Sequence, residues 1–412
     1  MNTRLTLALL TLIAGGAASS NADDWPGWRG PRGDGISLET SAPLTWSAKE
    51  NIGWRTPLPG SGLSSPIVLG DRVFVTAGDT SDETRRVICV EASTGKILWN
   101  ISVHRGPGGK MHRFNSTASS TPVSDGQFVF ATFVDDQGLY VAAVDFEGTL
   151  VWTKNPGTFY SNHGFAACPV LYGEGVIVNG QQDGEAFVCM LRRQDGHEIW
   201  RHKPTINLRS FSTPVLTAVD GEDQLILTGS SQTIGLNPKT GETIWHADGP
   251  SQKFVCTPAV GHGLVFSFGG SPDKHAMAVR LGGRGDVLQS GLVWRNERSM
   301  PYVPSPILVG DYLHIINDSG VYTCLEPRTG ETLNTGRKLG SVYSSPISVA
   351  DRVYFFEDSG VCTIIRNNPN FEILAQNELG EPTQTTPAIS NGKLYVRTDS
   401  HLVQIGATEV AK

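Results

Sequence analysis

Ser93-Thr94-Gly95-Lys96-Ile97-Leu98-Trp99 joins a tight turn to a short apolar strand that ends in tryptophan, and this phrase recurs along the chain. Lys239–Trp245 repeats it closely, and Gln194–Trp200 and Phe146–Trp152 are weaker copies. The glycine suits a hairpin turn that needs a positive φ, and the tryptophan can cover the gap between neighbouring sheets. The phrase therefore predicts the third and fourth strands of a repeated antiparallel unit.

A second phrase, a small residue before a proline and then alternating apolar residues, marks the start of each unit. The prolines of its eight copies are 56, 47, 45, 44, 48, 40 and 41 residues apart. The copies are Ser65-Pro66, Thr121-Pro122, Cys168-Pro169, Thr213-Pro214, Thr257-Pro258, Ser305-Pro306, Ser345-Pro346 and Thr386-Pro387. A period of about 40–50 residues built from short strands is typical of propeller blades. The sequence thus predicts an all-β protein, an eight-bladed β-propeller of four-stranded antiparallel blades.

The last unit stops one strand short of the others. It ends with Leu402-Val403-Gln404-Ile405, whereas Ile52-Gly53-Trp54-Arg55 lies before the first unit and has the character of a fourth strand. We expect these two stretches to pair, because pairing them closes the ring and leaves no sheet edge open.

The opening residues are typical of a secretory signal. Arg4 precedes the apolar stretch Leu5–Ala14, and Ser20-Asn21-Ala22 supplies small residues for cleavage. We therefore expect a signal peptide at 1–22, an N-terminal extension at 23–50, the propeller at 51–406 and a C-terminal tail at 407–412. No cysteine ends the signal, so we expect an exported, soluble periplasmic or extracellular protein and not a lipoprotein.

Charge and hydropathy limit the partners. The formal net charge is −7, whereas a nucleic-acid binder normally carries a basic face. No apolar run after the signal approaches the ~20 residues of a transmembrane helix. The six cysteines include no Cys-x-x-Cys pair, and equivalent positions on separate blades are too far apart for disulfides. We expect the thiols to be buried and free, and we predict no metal site.

Three further stretches carry a family resemblance: Trp25–Pro31, Arg280–Val287 and Pro301–Pro306. Together with the Thr-Gly-x-x-x-Trp turns, they resemble exported PQQ-like repeat propellers, a superfamily that includes quinoprotein alcohol dehydrogenases and the assembly factor BamB. The resemblance covers nearly all of the chain beyond the signal and implies the propeller fold. It implies either a BamB-like scaffold or a dehydrogenase that holds PQQ with Ca²⁺.

Strand order sorts the loops onto two faces. In a four-stranded antiparallel blade, the connections between blades share one face with the second-to-third turns, and the Thr-Gly turns lie on the other face. The first face carries charges of both signs, which favours a binding surface, although hairpin tips are also polar simply because they face water. The candidate ligand-binding residues are His112, Arg113, Asn162, His163, Arg209, Arg280, Arg284, Asp286 and Tyr302.

Two of these groups have specific alternatives. His112 belongs to the longest connection, Ile101–Ser116, and His163 stands beside Gly164; either histidine can instead be structural. Arg280, Arg284 and Asp286 surround a glycine pair that can cradle an anion, or they can pin a hairpin tip by Arg–Asp pairing.

No catalytic residue is predicted. The sequence contains no Gly-x-Ser-x-Gly nucleophile elbow, and no carboxylate pair is singled out for glycoside cleavage. The expected function is non-catalytic binding or scaffolding in the periplasm or cell envelope, with an unknown protein partner or a small ligand at the channel face. The alternative is a PQQ-dependent dehydrogenase, with PQQ and Ca²⁺ in the channel.

Overall fold

The computed structural model describes residues 24–298 and 300–406. Eight antiparallel sheets of four strands surround a central channel, and the eight-bladed propeller is confirmed. The expected signal peptide and C-terminal tail lie outside the described residues. No helix in the described ranges has the length and apolar character needed to cross a membrane.

Strands are numbered in chain order. Two precede the first blade: β1 (Ile36–Ser37) and β2 (Ile52–Pro57). Blades 1 and 2 contain β3 (Ile67–Leu69), β4 (Arg72–Asp79), β5 (Thr84–Glu91), β6 (Ile97–Arg105), β7 (Val123–Ser124), β8 (Phe128–Val134), β9 (Leu139–Asp145) and β10 (Leu150–Gly157). Blades 3 and 4 contain β11 (Val170–Tyr172), β12 (Gly175–Gly180), β13 (Phe187–Arg192), β14 (Glu198–His202), β15 (Val215–Val219), β16 (Glu222–Gly229), β17 (Gln232–Leu236) and β18 (Thr243–Asp248).

The second half of the ring follows the same order, with one insertion in blade 5. Blade 5 contains β19 (Ala259–Gly261), β20 (Leu264–Gly269), β21 (His275–Arg280) and β23 (Leu292–Asn296), with β22 (Gly285–Asp286) and helix α1 (Leu288–Gly291) inserted before β23. Blades 6 and 7 contain β24 (Ile307–Val309), β25 (Tyr312–Ile316), β26 (Val321–Leu325), β27 (Thr332–Arg337), β28 (Ile347–Val349), β29 (Arg352–Phe356), β30 (Val361–Arg366) and β31 (Ile373–Glu378). Blade 8 contains β32 (Ala388–Ser390), β33 (Lys393–Arg397) and β34 (His401–Ile405).

The ring closes as the sequence predicts. Strand β2 pairs antiparallel with β34, and Trp54 lies opposite Gln404. The Trp54 indole N–H donates to the carbonyl of Ala92 in blade 1 at 2.9 Å. Strand β2 therefore completes blade 8 and also contacts blade 1.

The same indole contact joins most blade pairs. The tryptophan of one fourth strand packs on the turn glycine of the next blade, as Trp54 does on Gly95 (φ +76°). A Cβ on Gly95 would stand 2.6 Å from the Trp54 ring, so both the turn and the packing require glycine. The other indole donations to the next blade are Trp99 to Phe146, Trp152 to Arg193, Trp200 to Pro238 and Trp294 to Pro327.

Blades 6 and 7 are joined by polar contacts of a different kind. Asn334 donates through Nδ2 to the carbonyl of Pro369 at 2.7 Å. The buried His314 ring contacts Asn367 Oδ1 through Nε2 and the Tyr322 hydroxyl through Nδ1, both at 2.8 Å. Burial lowers the pKa of His314 to about 4, although the bond to Asn367 opposes this shift. The ring is therefore neutral at pH 7.

A ring of short polar contacts surrounds the channel. In seven of the eight blades, the residue before the blade-opening proline donates its backbone N–H to the side chain of the equivalent residue in the next blade. The described residues contain seven such bonds, of 2.9–3.3 Å: Ser65 to Thr121, Thr121 to Cys168, Cys168 to Thr213, Thr257 to Ser305, Ser305 to Ser345, Ser345 to Thr386 and Thr386 to Ser65. Cys168 uses its thiol in this ring, and all six cysteines are free and buried.

Residues 24–37, here called the N-terminal strap, cross the channel. Trp25 exchanges backbone bonds with Val68 in blade 1, and Gly35 accepts from Ser348 in blade 7. Between these points, the buried Arg29 donates to the carbonyl of Pro306 in blade 6 at 2.7 Å. Pro26 also accepts the backbone N–H of Ser124 in blade 2, which stands opposite blade 6, so the strap links opposite sides of the ring at the inner strands.

We predict that Trp54→Ala destabilises the closed ring by about 3 kcal/mol, because it removes a large packed side chain and an interblade hydrogen bond. Urea unfolding measures the loss. Leu98→Ala is the matched control, since Leu98 also lies on a fourth strand but is 39 % exposed. Equal losses in the two variants would contradict the closing role of β2.

We also predict acid destabilisation through His314. Its pKa is lower in the folded protein than in the unfolded chain, so stability falls as the pH drops from about 6.5 to about 4. The loss due to this residue is about 3 kcal/mol. His314→Gln removes the titrating group, so its unfolding free energy should depend less steeply on pH in that window. Parallel pH profiles for the two proteins would rule out His314 as the cause.

Candidate functional site

The connections between blades enclose a cavity of about 370 Å³ in the channel. The small residues before the prolines, such as Ser65, Thr213 and Ser345, form part of its wall. Apolar side chains from the connections complete it: Phe114, Phe211, Val255, Tyr302, Val303 and Tyr343. Small-molecule sites usually have volumes of about 300–1,000 Å³, so the cavity suits a small ligand or a single inserted side chain.

Trp28 of the N-terminal strap closes this cavity on one side. It lines both this cavity and a second one of about 390 Å³, which lies between the strap and the inner strands of blades 2 to 4. Its indole N–H donates to Thr257 Oγ1 at 2.9 Å. Thr257 stands at the one position of the polar ring where, among the described residues, the side chain accepts no backbone N–H from the preceding blade. Trp28 therefore divides the channel and makes the first cavity a blind cup.

Residues 106–122, here called the mouth loop, form the longest connection between blades and cross the open end of the cup. Phe114 packs against Tyr343, which belongs to the connection between blades 6 and 7, with 5.4 Å between ring centroids. The Arg113 guanidinium lies over the Phe114 ring at 4.4 Å. The loop thus reaches the connection between blades 6 and 7 and narrows the entrance.

The mouth loop is anchored to the next connection at His163. Asn115 donates through Nδ2 to the carbonyl of His163 at 2.7 Å. The rings of His112 and His163 are nearly parallel, with centroids 5.9 Å apart. The structure therefore brings together the two histidines that the sequence analysis selected from separate connections, and both line the cavity.

His163 is held neutral by its surroundings. Burial lowers its pKa, and the positive charge of Arg209 and the neighbouring His112 and Lys253 lower it further, while Asp183 opposes them. Its Nδ1 atom is buried without a hydrogen-bond partner. A second proton would give the ring a positive charge among these cationic neighbours. The uncharged ring is therefore the stable form at pH 7.

Arg209 lies near Tyr302 but, unlike Tyr302, is not among the residues that line the cavity. Arg209 forms an ion pair with Asp183, and its backbone N–H also donates to that carboxylate. Burial raises the pKa of the Tyr302 phenol, and the nearby Arg209 partly offsets this effect. Tyr302 lines the cavity directly.

Two acids of blades 6 and 7 anchor connections that line the cup. Asp318 accepts the backbone N–H groups of Tyr302 and Val303 at 2.9 and 3.1 Å. Asp358 accepts the backbone N–H of Tyr343 at 3.0 Å. Each carboxylate therefore positions the aromatic residue of a connection that lines the cup.

The remaining predicted residues lie farther out. Asn162 is exposed on its connection and accepts from the Tyr160 hydroxyl at 3.4 Å. The Arg280–Asp286 segment lies between the third and fourth strands of blade 5, where β22 pairs with β18 at the outer edge of blade 4. Arg284 there pairs with Glu222, and Asp286 accepts the backbone N–H of Leu288. This group does not join the histidines at the cup, and its anion binding stays a prediction.

Several residues at the cup were not selected from the sequence. Trp28, Phe114 and Phe211 are absent from the candidate residues. Asp318 and Asp358, which lie on the second-to-third turns of blades 6 and 7, are absent as well. The repeated Asp-Ser-Gly of these two turns, at 318–320 and 358–360, was the available signal for a shared anchoring role.

Known structures share the fold. BamB from Moraxella catarrhalis superposes with a TM-score of 0.60 at 16 % identity, covering 86 % of this chain and 99 % of that one. Quinohemoprotein alcohol dehydrogenase ADHIIG from Pseudomonas putida HK5 gives 0.60 at 12 %, covering 94 % and 81 %. A europium-containing methanol dehydrogenase gives 0.53 at 11 %, covering 92 % and 90 %.

At the level of sequence, no curated protein matches this chain. A family model does match, over residues 44–130 and 83–336, and its description is outer membrane protein assembly factor BamB. The matched region, 44–336, spans more than half of the chain and includes most of the blades. The chain is therefore a PQQ-like repeat propeller and belongs to the BamB family.

Proposed function

We propose that this protein is a non-catalytic binding propeller of the cell envelope, which holds a small ligand or a segment of a partner protein at the channel cup. The observation that carries the proposal is the cup itself: Trp28 closes it on one side, and the mouth loop narrows its entrance. A blind, aromatic, preformed cavity on rigid blades suits binding, because little must be ordered when the ligand arrives.

The charged groups near the cup support binding over catalysis. Arg209 is paired with Asp183, and Asp318 accepts two backbone amides, so these groups already serve the fold. In the described ranges, no serine, threonine or cysteine side chain is hydrogen-bonded to the ring of His112 or His163. Burial raises the pKa of Cys168, the thiol that lines the cup, so it stays protonated and is a poor nucleophile.

The envelope location rests on two supports. Residues 1–22 have the pattern of a signal peptide, which predicts export. The description of the matching family is outer membrane protein assembly factor BamB. The protein partner and the route of export are part of the proposal.

PQQ with Ca²⁺ is the second candidate, because quinoprotein dehydrogenases share the fold. The residues of the cup fit this pair poorly. Calcium needs 6–8 oxygen ligands, but Asp318 is the one carboxylate among the described residues that line the cup. No cluster of three or more His, Cys, Asp and Glu side chains capable of holding a metal occurs in 24–298 and 300–406. We derive no catalytic step through PQQ.

We predict that a photo-crosslinking residue at Phe114 gives a discrete adduct in the native envelope, because Phe114 is 41 % exposed at the entrance of the cup. The same residue at Leu333, which is 39 % exposed on an outer strand, is the control and should give none. Gel shifts and mass spectrometry identify the adduct. Identical products from the two positions, or none from Phe114, would count against the cup as the binding site.

We further predict that the purified protein, mixed with equimolar PQQ and excess Ca²⁺, neither shifts the PQQ absorbance nor reduces dye with alcohols or sugars. The reason is the shortage of oxygen ligands for Ca²⁺ around Asp318. Saturable one-to-one PQQ uptake would favour the dehydrogenase instead.

A further inference from the structure

Hydroxyl groups form one side of the cup. Five residues of the polar ring line it on adjoining blades, 5 to 8 and 1, and each is at most 4 % exposed. We call them the donor arc: Thr257, Ser305, Ser345, Thr386 and Ser65. Each of these side-chain oxygens already accepts an N–H, from Trp28 at Thr257 and from the preceding blade at the other four.

The hydrogens of these hydroxyl groups are still free to be donated. In 24–298 and 300–406, no member of the donor arc donates its O–H to another residue, because the bonds just described are the ones its side chains make. The phenols of Tyr302 and Tyr343 also line the cup and make no hydrogen bond within these ranges. A buried donor without an acceptor is costly, so a ligand that supplies acceptors is favoured.

Few side chains of the cup are free to accept an N–H from a ligand. Asp318 already accepts two backbone N–H groups and pairs with Lys274. The Asn115 side-chain oxygen accepts two bonds within the mouth loop. Among the described side chains that line the cup, His163 Nδ1 is the one buried polar atom without a partner, and the Gln384 amide adds a donor and an acceptor alike. Free donors therefore outnumber free acceptors.

The lining also lacks a cation for a charged acceptor. Within the described ranges, no arginine or lysine lines the cup, and its carboxylate, Asp318, is paired with Lys274. A carboxylate brought into the cup would be buried without a counter-charge, which is costly. The donor arc therefore suits neutral acceptors such as carbonyl oxygens.

The wall at blades 3 and 4 is largely apolar. Ala166, Cys168 and Phe211 line it, and the His163 ring packs edge-on against Phe211, with 6.4 Å between centroids. Trp28 forms the closed end. A ligand must therefore combine an apolar body with neutral oxygen acceptors on one side and few N–H groups.

Exposed apolar side chains at the entrance favour a protein segment over a small molecule. Met111 and Phe114 of the mouth loop are 36 % and 41 % exposed. A small molecule inside the cup leaves both side chains uncovered, whereas the residues that flank an inserted segment can cover them. The 370 Å³ volume limits the inserted part to a few residues.

We propose that the cup binds a proline-containing turn of a partner protein. Proline offers a backbone carbonyl without a backbone N–H, is common in turns, and packs its ring in aromatic-lined grooves. The carbonyl oxygens accept from the donor arc, and the rings pack on Trp28 and Phe211. The segment enters as a turn because Trp28 closes the cup and a chain end would carry charge. This proposal rests on the proposed binding function and specifies its partner.

Three neutral peptides test the hydrogen-bond argument by calorimetry at pH 7.5: N-acetyl-prolyl-proline dimethylamide, its alanyl-alanine counterpart, and that counterpart with N-methylated alanines. N-methylation removes the N–H groups of the alanine form without adding a ring. The proline and N-methyl forms should each bind about tenfold more tightly than the alanine form, a difference of about 1.4 kcal/mol.

Two variants assign the carbonyl oxygens to the hydroxyl groups. Ser345→Cys keeps an acceptor for the preceding blade, as Cys168 does, but a thiol is a weak donor. Tyr343→Phe removes a phenol donor and keeps the ring. Each should weaken binding of the proline form about fivefold. The controls Ser93→Cys, on the Thr-Gly turn of blade 1, and Tyr312→Phe, on β25, should leave it unchanged. Circular dichroism checks folding, and Tyr343→Phe decides if Ser345→Cys does not fold.

The crosslink at Phe114 identifies the source of the ligand. Mass spectrometry of the digested adduct should map the crosslink to a proline-containing stretch of one partner protein. An adduct with a small molecule, or with a stretch that contains no proline, overturns the proposed partner.

The peptide outcomes separate this proposal from the binding function. Equal affinity for the three peptides, or tightest binding by the alanine form, overturns the role of the donor arc and leaves the cup as a binding site. An N-methyl form as weak as the alanine form overturns it as well, because ring shape then decides. Failure of all three to bind overturns the proline segment, and the presence of a discrete adduct at Phe114 then decides the binding function independently.

Discussion

The buried amide before each blade-opening proline is the constraint on which the channel depends. A residue before proline is held in an extended conformation, and its own N–H must find an acceptor because it is buried. In seven of the eight blades the hydroxyl or thiol of the next blade supplies that acceptor, as Ser305 does for Thr257 and Ser345 does for Ser305. This contact explains why the small residue of the repeat is serine, threonine or cysteine. It also holds neighbouring blades at one separation, which determines the width of the cup.

The repeated blades and their connections make most of the cup, and two segments outside the repeat complete it. The N-terminal strap brings Trp28 to the channel, and the mouth loop brings His112 and Phe114 over it. Neither segment could form a cup alone, because each depends on partners from distant blades, Thr257 for the strap and Tyr343 for the loop. The cup is thus a product of the closed ring rather than of any one blade.

The fold could be predicted from the sequence because its signals are local. A turn glycine, a tryptophan four residues later and a proline at each blade start are visible within short stretches. The pairing of Trp54 with the last blade followed from a missing strand. The cup was only partly predictable: His112, His163 and Tyr302 lie on connections whose face follows from strand order. Trp28 and Phe114 reach the cup through contacts with residues more than two hundred positions away in the sequence. No local pattern encodes contacts at that separation.

The strap and β2 come early in the chain, yet their partners come late. Trp28 needs Thr257, Arg29 needs Pro306, and β2 needs β34. During synthesis, Trp28, Arg29 and β2 must therefore wait for these partners, although Trp25 can already pair with Val68 of blade 1. Residues as late as Thr386 line the cup, so a truncated or half-assembled chain presents no finished pocket. Formation of the cup is in this way coupled to completion of the whole molecule.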